Sequence, residues 1–243
     1  MARGLGFGVG SCVLVALGCS TAAPDAPVES RQHAVLAAAL EDTFNVTQSS
    51  VAVSGGTAVI GAIQAGPGAV YVRVRSPAGT WSEQQKLVPS DVPSGGRFGH
   101  AVAIDGNTLV ASAPGVGTNH GAVYVFVRTG TAWSQQAKLT ASDGAAGDQF
   151  GSSAALSGDT ALVGSIYDDD KDWNSGSAYV FLRTGTSWAA QAELTAPDGA
   201  TNARFGHSVA LSGNVALVGA PGFLGSTTHT GSAARVRCRR TSQ

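Results

Sequence analysis

A module of 52 to 55 residues recurs along this chain, and the recurrence constrains the fold more than any other feature of the sequence. Phenylalanine, tryptophan, tyrosine and leucine each return at nearly the same spacing, so together they fix one register. These landmarks are Phe98, Phe150 and Phe205; Trp81, Trp133 and Trp188; Tyr71, Tyr124 and Tyr179; and Leu87, Leu139 and Leu194. A repeat of this length predicts a supersecondary unit that buries its apolar faces against its neighbours.

Each repeat predicts four short strands. In the unit that begins at Phe98, strand-like runs cover 101–105, 108–113, 122–128 and 133–139. Gly106-Asn107 separates the first two runs, and such pairs suit two-residue hairpin turns because glycine accepts a positive φ. Four antiparallel strands recurring every ~50 residues are typical of propeller blades. The sequence therefore predicts an all-β fold, a β-propeller of four-stranded antiparallel blades.

The composition supports an all-β protein and excludes several functional classes. Glycine accounts for 33 of 243 residues, only 13% of residues are charged, and 43% are hydrophobic. So little charge with so much apolar content excludes intrinsic disorder. The formal net charge of −1 argues against a nucleic-acid partner, because that affinity comes mostly from lysine and arginine.

The register gives three complete blades and one partial blade, and their arrangement has two explanations. The units cover 47–97, 98–149, 150–204 and, in partial form, 205–243. Leu36 lies eleven residues before Thr47, as a leucine lies eleven residues before each repeated phenylalanine. A strand at 34–39 could therefore complete the last blade and close a four-bladed ring, although its alanines also suit a short helix. Alternatively, the arginine-rich end after Ala234 indicates a truncated or frame-shifted fragment of a longer propeller, with a purely structural role.

The amino-terminal residues predict export. Residues 1–18 carry an early positive charge and a short apolar run, as a signal peptide does. Ala16-Leu17-Gly18-Cys19 resembles the lipobox of bacterial lipoproteins, which implies lipidation of Cys19 and a membrane contact through that anchor. Residues 19–32 then form a flexible tether to the propeller at 33–243. We expect an outer-membrane or cell-surface lipoprotein, with a secreted or periplasmic protein as the alternative.

The repeated motif resembles the FG-GAP repeat of integrin α-subunit propellers. Phe-Gly is followed about fifteen residues later by Ala-Pro-Gly in two units, whereas the unit between them has Gly164-Ser165-Ile166 instead. The motif residues, which we interpret as structural, are Phe98, Gly99, Pro114, Phe150, Gly151, Phe205, Gly206 and Pro221. The resemblance implies a non-catalytic binding or adhesion module whose partner is an extracellular protein or carbohydrate.

One loop carries an acidic cluster that predicts a calcium site. Asp168, Asp170, Asp172 and Asn174 alternate, as oxygen ligands do in loops that bind Ca²⁺. The calcium loop of integrin-like blades is similar, but here Trp173 replaces its glycine and the final aspartate is missing. The sequence predicts a weak Ca²⁺ site, with a solvated polar loop as the alternative, and no other cofactor.

The remaining candidate side chains follow the repeat and do not indicate catalysis. Asp91, Asp143 and Asp198 share one repeat position, where we expect them to stabilise turns. His100 and His207 also share a position, and no histidines have zinc-binding spacing. There is no G-x-S-x-G nucleophile motif. The sequence therefore predicts that the protein is not an enzyme.

Overall fold

The computed structural model of this protein describes residues 50–63, 66–222 and 232–237. Four antiparallel sheets follow one another along the chain, and the predicted all-β class is confirmed. The first three sheets have four strands each, and the last has three. The strands are β1 (Val51–Ser54), β2 (Thr57–Ala62), β3 (Ala69–Arg75), β4 (Trp81–Leu87), β5 (Val102–Asp105), β6 (Thr108–Ala113), β7 (Ala122–Thr129), β8 (Ala132–Leu139), β9 (Phe150–Ser157), β10 (Thr160–Ser165), β11 (Ser177–Thr184), β12 (Ser187–Thr195), β13 (Ser208–Ser212), β14 (Val215–Ala220) and β15 (Ser232–Arg237).

Each sheet is a blade in which sequential strands pair as neighbours, and we number the blades 1 to 4 in chain order. The predicted hairpin turn between the first two strands of blade 2 is present, and its Gly106 has a φ of 56°. A short left-handed turn at Val116–Asn119 occupies the loop between β6 and β7, with φ values of 63° at Gly117, 56° at Thr118 and 64° at Asn119. The loop between the second and third strands lies at the same end of the blade as the linker that leads to the next blade, because the strands are antiparallel.

Apolar side chains pack between consecutive blades. One buried cluster joins blades 1 and 2, another joins blades 2 and 3, and a third joins blades 3 and 4. The repeated phenylalanines lie in these clusters. Phe98 meets Tyr124 nearly edge to face with ring centroids 5.6 Å apart, and Phe150 meets Tyr179 in the same manner at 5.5 Å. This recurrence explains why the same aromatic residues return in each unit.

The glycine after each phenylalanine allows two blades to approach closely. Gly99 has a φ of 90°, and a Cβ built on it would lie 2.6 Å from the carbonyl oxygen of Ala69 in blade 1. Gly206 has a φ of 88°, and its Cβ would lie 2.3 Å from the Ser177 oxygen in blade 3. No other residue fits both that backbone conformation and that separation without a shift. The Phe-Gly pair is thus a packing device between blades.

A repeated tryptophan hydrogen-bonds to the preceding blade, and a proline found in two units ends a strand. The Trp133 indole N–H donates to Gln84 Oε1 of the preceding blade at 3.0 Å, and Trp188 donates to Gln136 in the same way at 2.9 Å. Strand β6 ends directly before Pro114, and β14 ends directly before Pro221. Proline lacks an amide N–H, so it cannot extend the strand ladder.

The last described sheet differs from the other three. It has three strands, and Leu217 in it is 48% exposed, whereas its counterparts Val110 and Leu162 are fully buried beneath the following blade. The segment 34–39, predicted to close a four-bladed ring, lies outside the described residues, so ring closure stays a prediction. The signal peptide at 1–18, Cys19 and the tether at 19–32 also lie outside them. Within the described ranges, no helix has the length and apolarity needed to cross a bilayer.

Candidate cation and ligand site in blade 3

Blade 3 is longer than blade 2 because of one loop. Eight residues separate β6 from β7, whereas eleven residues, 166–176, separate β10 from β11. We call residues 166–176 the blade 3 loop. It hydrogen-bonds to both linkers at this end of the blade, through Tyr167 N–H to the Asp148 oxygen at 3.2 Å and through Asn202 N–H to the Trp173 oxygen at 2.7 Å. The extra residues therefore lie in an ordered position between two linkers.

Three carboxylates converge beside this loop. Asp143 comes from the linker before blade 3, Asp170 from the blade 3 loop, and Glu193 from strand β12. One carboxylate oxygen from each lies within 4.8 Å of the others, and all three residues are exposed. Ser177 Oγ also donates to Glu193 Oε1 at 3.1 Å. We call Asp143, Asp170 and Glu193 the acidic triad.

Tyr179 links the triad to a fourth, buried carboxylate. Its hydroxyl lies 2.9 Å from Asp143 Oδ1 and 2.8 Å from Asp168 Oδ2, and Asp168 is only 3% exposed. A phenol has one proton, so it can donate to only one of these two oxygens. The other contact requires a proton on a carboxyl group or a compensating positive charge. The arrangement is therefore short of positive charge when every carboxyl is ionised.

The pKa values of the carboxyl groups shift as this shortage requires. Partial desolvation of its carboxyl group, followed by a hydrogen bond with the neighbouring Asp170, raises the pKa of Glu193 to about 7, although the residue as a whole is exposed. Burial also raises the pKa of Asp168, against the lowering effect of its hydrogen bond from Tyr179. The pKa of Tyr179 is raised by burial and by the Asp168 carboxylate. Each shift disfavours additional negative charge at this site.

In blade 2 the residue equivalent to Glu193 is a lysine, Lys138, so the chain itself supplies a positive charge there. Strand pairing places Lys138 opposite Tyr124, as it places Glu193 opposite Tyr179. Lys138 Nζ donates to Asp91 Oδ2 at 2.6 Å and lies 5.4 Å from the centre of the Tyr124 ring. Lys138 lowers the pKa of Asp91, chiefly by its hydrogen bond. The pKa of Glu193 in blade 3 is raised instead. An ammonium group thus occupies in blade 2 the place that the acidic triad surrounds in blade 3.

The four predicted calcium ligands lie in three different environments. Asp170 joins the acidic triad, and Asp168 is buried against Tyr179. Asp172 accepts a hydrogen bond from Thr201 Oγ1 at 2.5 Å, and Asn174 donates to Asn202 Oδ1 at 2.9 Å in the following linker. Within the described residues, the carboxylates of positions 168, 170 and 172 are not grouped at one point. The Ca²⁺ site within this loop stays a prediction, and the structure offers a different ligand set.

Asp143 and Glu193 were not predicted from the sequence as members of this site. The sequence predicts that Asp91 and Asp143 stabilise turns, and this role stays a prediction; in the structure Asp91 also pairs with Lys138, and Asp143 accepts from Tyr179. One signal in the sequence could have indicated the triad, because Lys86 and Lys138 share a repeat position at which Glu193 reverses the charge. The reversal occurs in the one unit whose loop has gained aspartates.

The triad has the chemistry of a site for a hard divalent cation. Carboxylate oxygens are the ligands that Ca²⁺ and Mg²⁺ prefer, and the exposure of the triad leaves room for water or a ligand oxygen to complete the coordination. In the described residues no histidine or cysteine lies in the group, so its donors do not suit a zinc site.

Comparison with known proteins agrees with the repeat and the fold. The model of the FG-GAP repeat matches residues 81–126, 133–181 and 188–233, together more than half of the chain. The sequence has no match among curated proteins. The solved structure of the computationally designed Ika4 protein is similar, with a TM-score of 0.51 and 12% identity over 82% of this chain and 95% of that protein.

Two natural proteins are more distant in structure. Aleuria aurantia lectin, solved as a mutant in complex with alpha-methyl-L-fucoside, has a TM-score of 0.44 and 13% identity over 78% of this chain and 61% of the lectin. The GH43 endo-arabinanase from Bacillus licheniformis has a TM-score of 0.42 and 13% identity over 81% of this chain and 72% of the enzyme. Likenesses at this identity describe the fold alone. The three tandem matches are what identify the chain, which belongs to the FG-GAP repeat family.

Proposed function

We propose that this protein is an exported, surface-attached and non-catalytic binding module that uses a divalent cation, Ca²⁺, at the acidic triad of blade 3. Its ligand is an extracellular protein or a carbohydrate, bound at the end of the propeller formed by the blade 3 loop and the linkers beside it. The observation that carries the proposal is the exchange of Lys138 in blade 2 for Glu193 in blade 3, where further carboxylates also gather.

Charge balance supports a cation at the acidic triad. In blade 2 one ammonium serves one carboxylate, Asp91. In blade 3 the ammonium is lost and three exposed carboxylates surround its place, with Asp168 close by through Tyr179. Like charges at such distances are destabilising unless protons or a cation compensate them. Calcium would release the proton that Glu193 otherwise holds near neutral pH, because carboxylate ligands bind metal in the ionised form.

Thermal unfolding with and without calcium tests the cation. We expect millimolar CaCl₂ to raise the Tm of the full chain over that in chelator. The free energy of unfolding should rise by about 0.4 to 1.4 kcal/mol if calcium is present at one to ten times its Kd. Glu193→Lys, which restores the blade 2 residue, should abolish this response and raise the Tm measured in chelator. Lys86→Glu, a charge reversal at the same repeat position of blade 1, is the matched control and should leave the calcium response intact. Equal calcium shifts in wild type and Glu193→Lys would refute the triad as the site.

The attachment proposal rests on the sequence pattern that ends at Cys19. It divides the chain into a signal peptide at 1–18, a tether at 19–32 and the propeller at 33–243. In a lipoprotein-processing bacterial host, labelled fatty acid should be incorporated into the full chain, which should fractionate with the membrane. Cys19→Ala should lose both the label and the membrane association, whereas Cys12→Ala should retain them. A labelled Cys19→Ala variant, or an unlabelled wild type, would contradict lipid anchoring at this residue.

A further inference from the structure

The blade 3 loop exposes a single indole at the same end of the propeller as the acidic triad. Trp173 is 64% exposed, whereas Trp133 is buried and Trp188 is half-buried. A tryptophan in water forgoes the free energy that burial of its large apolar surface would provide. The equivalent loop of blade 2 contains no aromatic residue. The indole therefore contributes little to packing and is accessible to a ligand.

The backbone on both sides of this indole is fixed before any ligand arrives. Trp173 N–H donates to Asp172 Oδ1 at 2.7 Å, and the Trp173 carbonyl accepts from Asn202 N–H at 2.7 Å. Asp172 is held in turn by Thr201 Oγ1, and Asn174 N–H donates to Asp169 Oδ1 at 2.6 Å. A preorganised platform loses little conformational entropy on binding, so more of the contact energy is retained as affinity.

The surroundings of the indole are polar. Among the described residues, the other exposed large hydrophobic side chains are Val51, Val88 and Leu217, and none of them belongs to the blade 3 loop or to the linkers beside it. The loop supplies instead the carboxylates of Asp169 and Asp172 and the amide of Asn174, which accept or donate hydrogen bonds. The surface thus combines one flat apolar face with a rim of hydrogen-bonding groups.

We infer that Trp173 is a stacking platform for a pyranose ring and that the ligand of this module is a neutral carbohydrate. A pyranose has an apolar C–H face that matches the indole and hydroxyls at its edge that match the carboxylate and amide rim. A protein partner would instead require a larger apolar centre shielded from water by surrounding contacts. Anionic ligands are disfavoured by the exposed carboxylates of Asp169, Asp170 and Asp172. This inference deepens the proposed function, since it names the ligand class at the same face.

Tryptophan fluorescence of the full chain tests the inference with a panel of neutral oligosaccharides: cellohexaose, chitohexaose, mannohexaose, xylohexaose and galactose oligomers, each at up to about 10 mM, the range in which a weak sugar complex forms. At least one should protect Trp173 from quenching by acrylamide. Isothermal titration calorimetry, which does not need the indole as a reporter, should show that Trp173→Ala weakens binding of that sugar roughly tenfold or more, as loss of a central aromatic contact does, whereas Trp173→Tyr retains most of it. Val88→Ala, which removes another exposed apolar side chain, is the control and should bind like wild type.

The outcomes test the carbohydrate inference and the proposed cation site independently. Protection by none of the sugars, or sugar binding that Trp173→Ala leaves unchanged, would overturn the carbohydrate inference. A protein ligand whose binding depends on Trp173 while all sugars fail would overturn it too. If the calcium-dependent Tm shift persists in those cases, the proposed cation site survives. If sugar binds and calcium has no effect, the cation site fails and the carbohydrate inference stands.

Discussion

Blades 2 and 3 share a scaffold but balance charge in opposite ways at the same position. In both, a buried tyrosine lies between an aspartate of the preceding linker and a residue of the fourth strand. In blade 2 that residue is Lys138, and the Tyr124 hydroxyl forms no hydrogen bond of ordinary geometry with any described residue. In blade 3 that residue is Glu193, and Tyr179 contacts Asp143 and Asp168.

The difference shows how a repeat can change the charge at one end of a blade without a change of fold. The Phe-Gly packing and the strand pairing are retained in blade 3, so its framework tolerates an unfavourable group of charges at its end. Carboxylates that serve only the fold are usually paired or solvated, whereas several that converge without a cation are typical of sites that bind something. Blade 2 therefore serves as an internal reference state for blade 3.

The largest expected effect tests the shared scaffold. Phe98→Ala and Phe150→Ala each remove a fully buried ring from between two blades, and each should lower the free energy of unfolding by about 3–5 kcal/mol. Urea unfolding of the two variants beside wild type measures both values, and Val88→Ala is the exposed control. A cost at Phe150 several kcal/mol below that at Phe98 would mean that the two blades do not pack alike, and the comparison would lose its basis.

The next effect separates the two tyrosines. Tyr179→Phe removes the hydroxyl that contacts Oδ2 of buried Asp168, and this should cost about 1–3 kcal/mol because that oxygen loses its donor. Tyr124→Phe removes a buried hydroxyl whose contacts with Asp91 and Lys138 fall short of ordinary hydrogen-bond geometry, so it should change stability by less than about 0.5 kcal/mol. Urea unfolding in chelator at neutral pH measures both. Equal losses would show that the extra carboxylates of blade 3 do not depend on Tyr179.

Much of this scaffold is predictable from the sequence, because it is repeated. The recurring order of strand-like runs and glycine turns predicted β6 at 108–113, as the structure has it, and predicted the Gly106 turn. The acidic triad was not predicted, since its members come from a linker, a loop and a strand that are distant in sequence. A local spacing rule favoured Asp172 and Asn174, but Thr201 and Asn202 bind these side chains through contacts that no local pattern contains.

A smaller effect tests whether the charge reversal alone makes a cation site. Lys138→Glu places a carboxylate beside Asp91, and it should lower stability by about 1 kcal/mol or less because the pair is partly exposed, at 34% and 47%. It should not create a calcium response, since the β6–β7 loop contains no carboxylate. Tm measurements with CaCl₂ and with chelator decide this, with Lys138→Met as the uncharged control. A new calcium response in Lys138→Glu, absent from Lys138→Met, would mean that the aspartates of the blade 3 loop are dispensable.

The smallest effect is a difference in pH dependence, and its sign is opposite in the two blades. The pKa of Asp91 is lowered by Lys138 from 3.8, so this pair stabilises the folded state above that pH and loses its contribution as the pH falls through the folded pKa. The pKa of Glu193 is raised from 4.5 to about 7, so the folded state holds a proton that the unfolded state releases between these values. Its contribution is therefore complete below pH 4.5 and is lost as the pH rises to about 7. In chelator, the Tm of wild type should fall between about pH 5 and about pH 8 by more than that of Glu193→Gln, which carries no titrating proton at this position. An equal decline in Tm for the two proteins would show that Glu193 does not hold this proton. The cation proposed at the triad would then lose its support from charge balance.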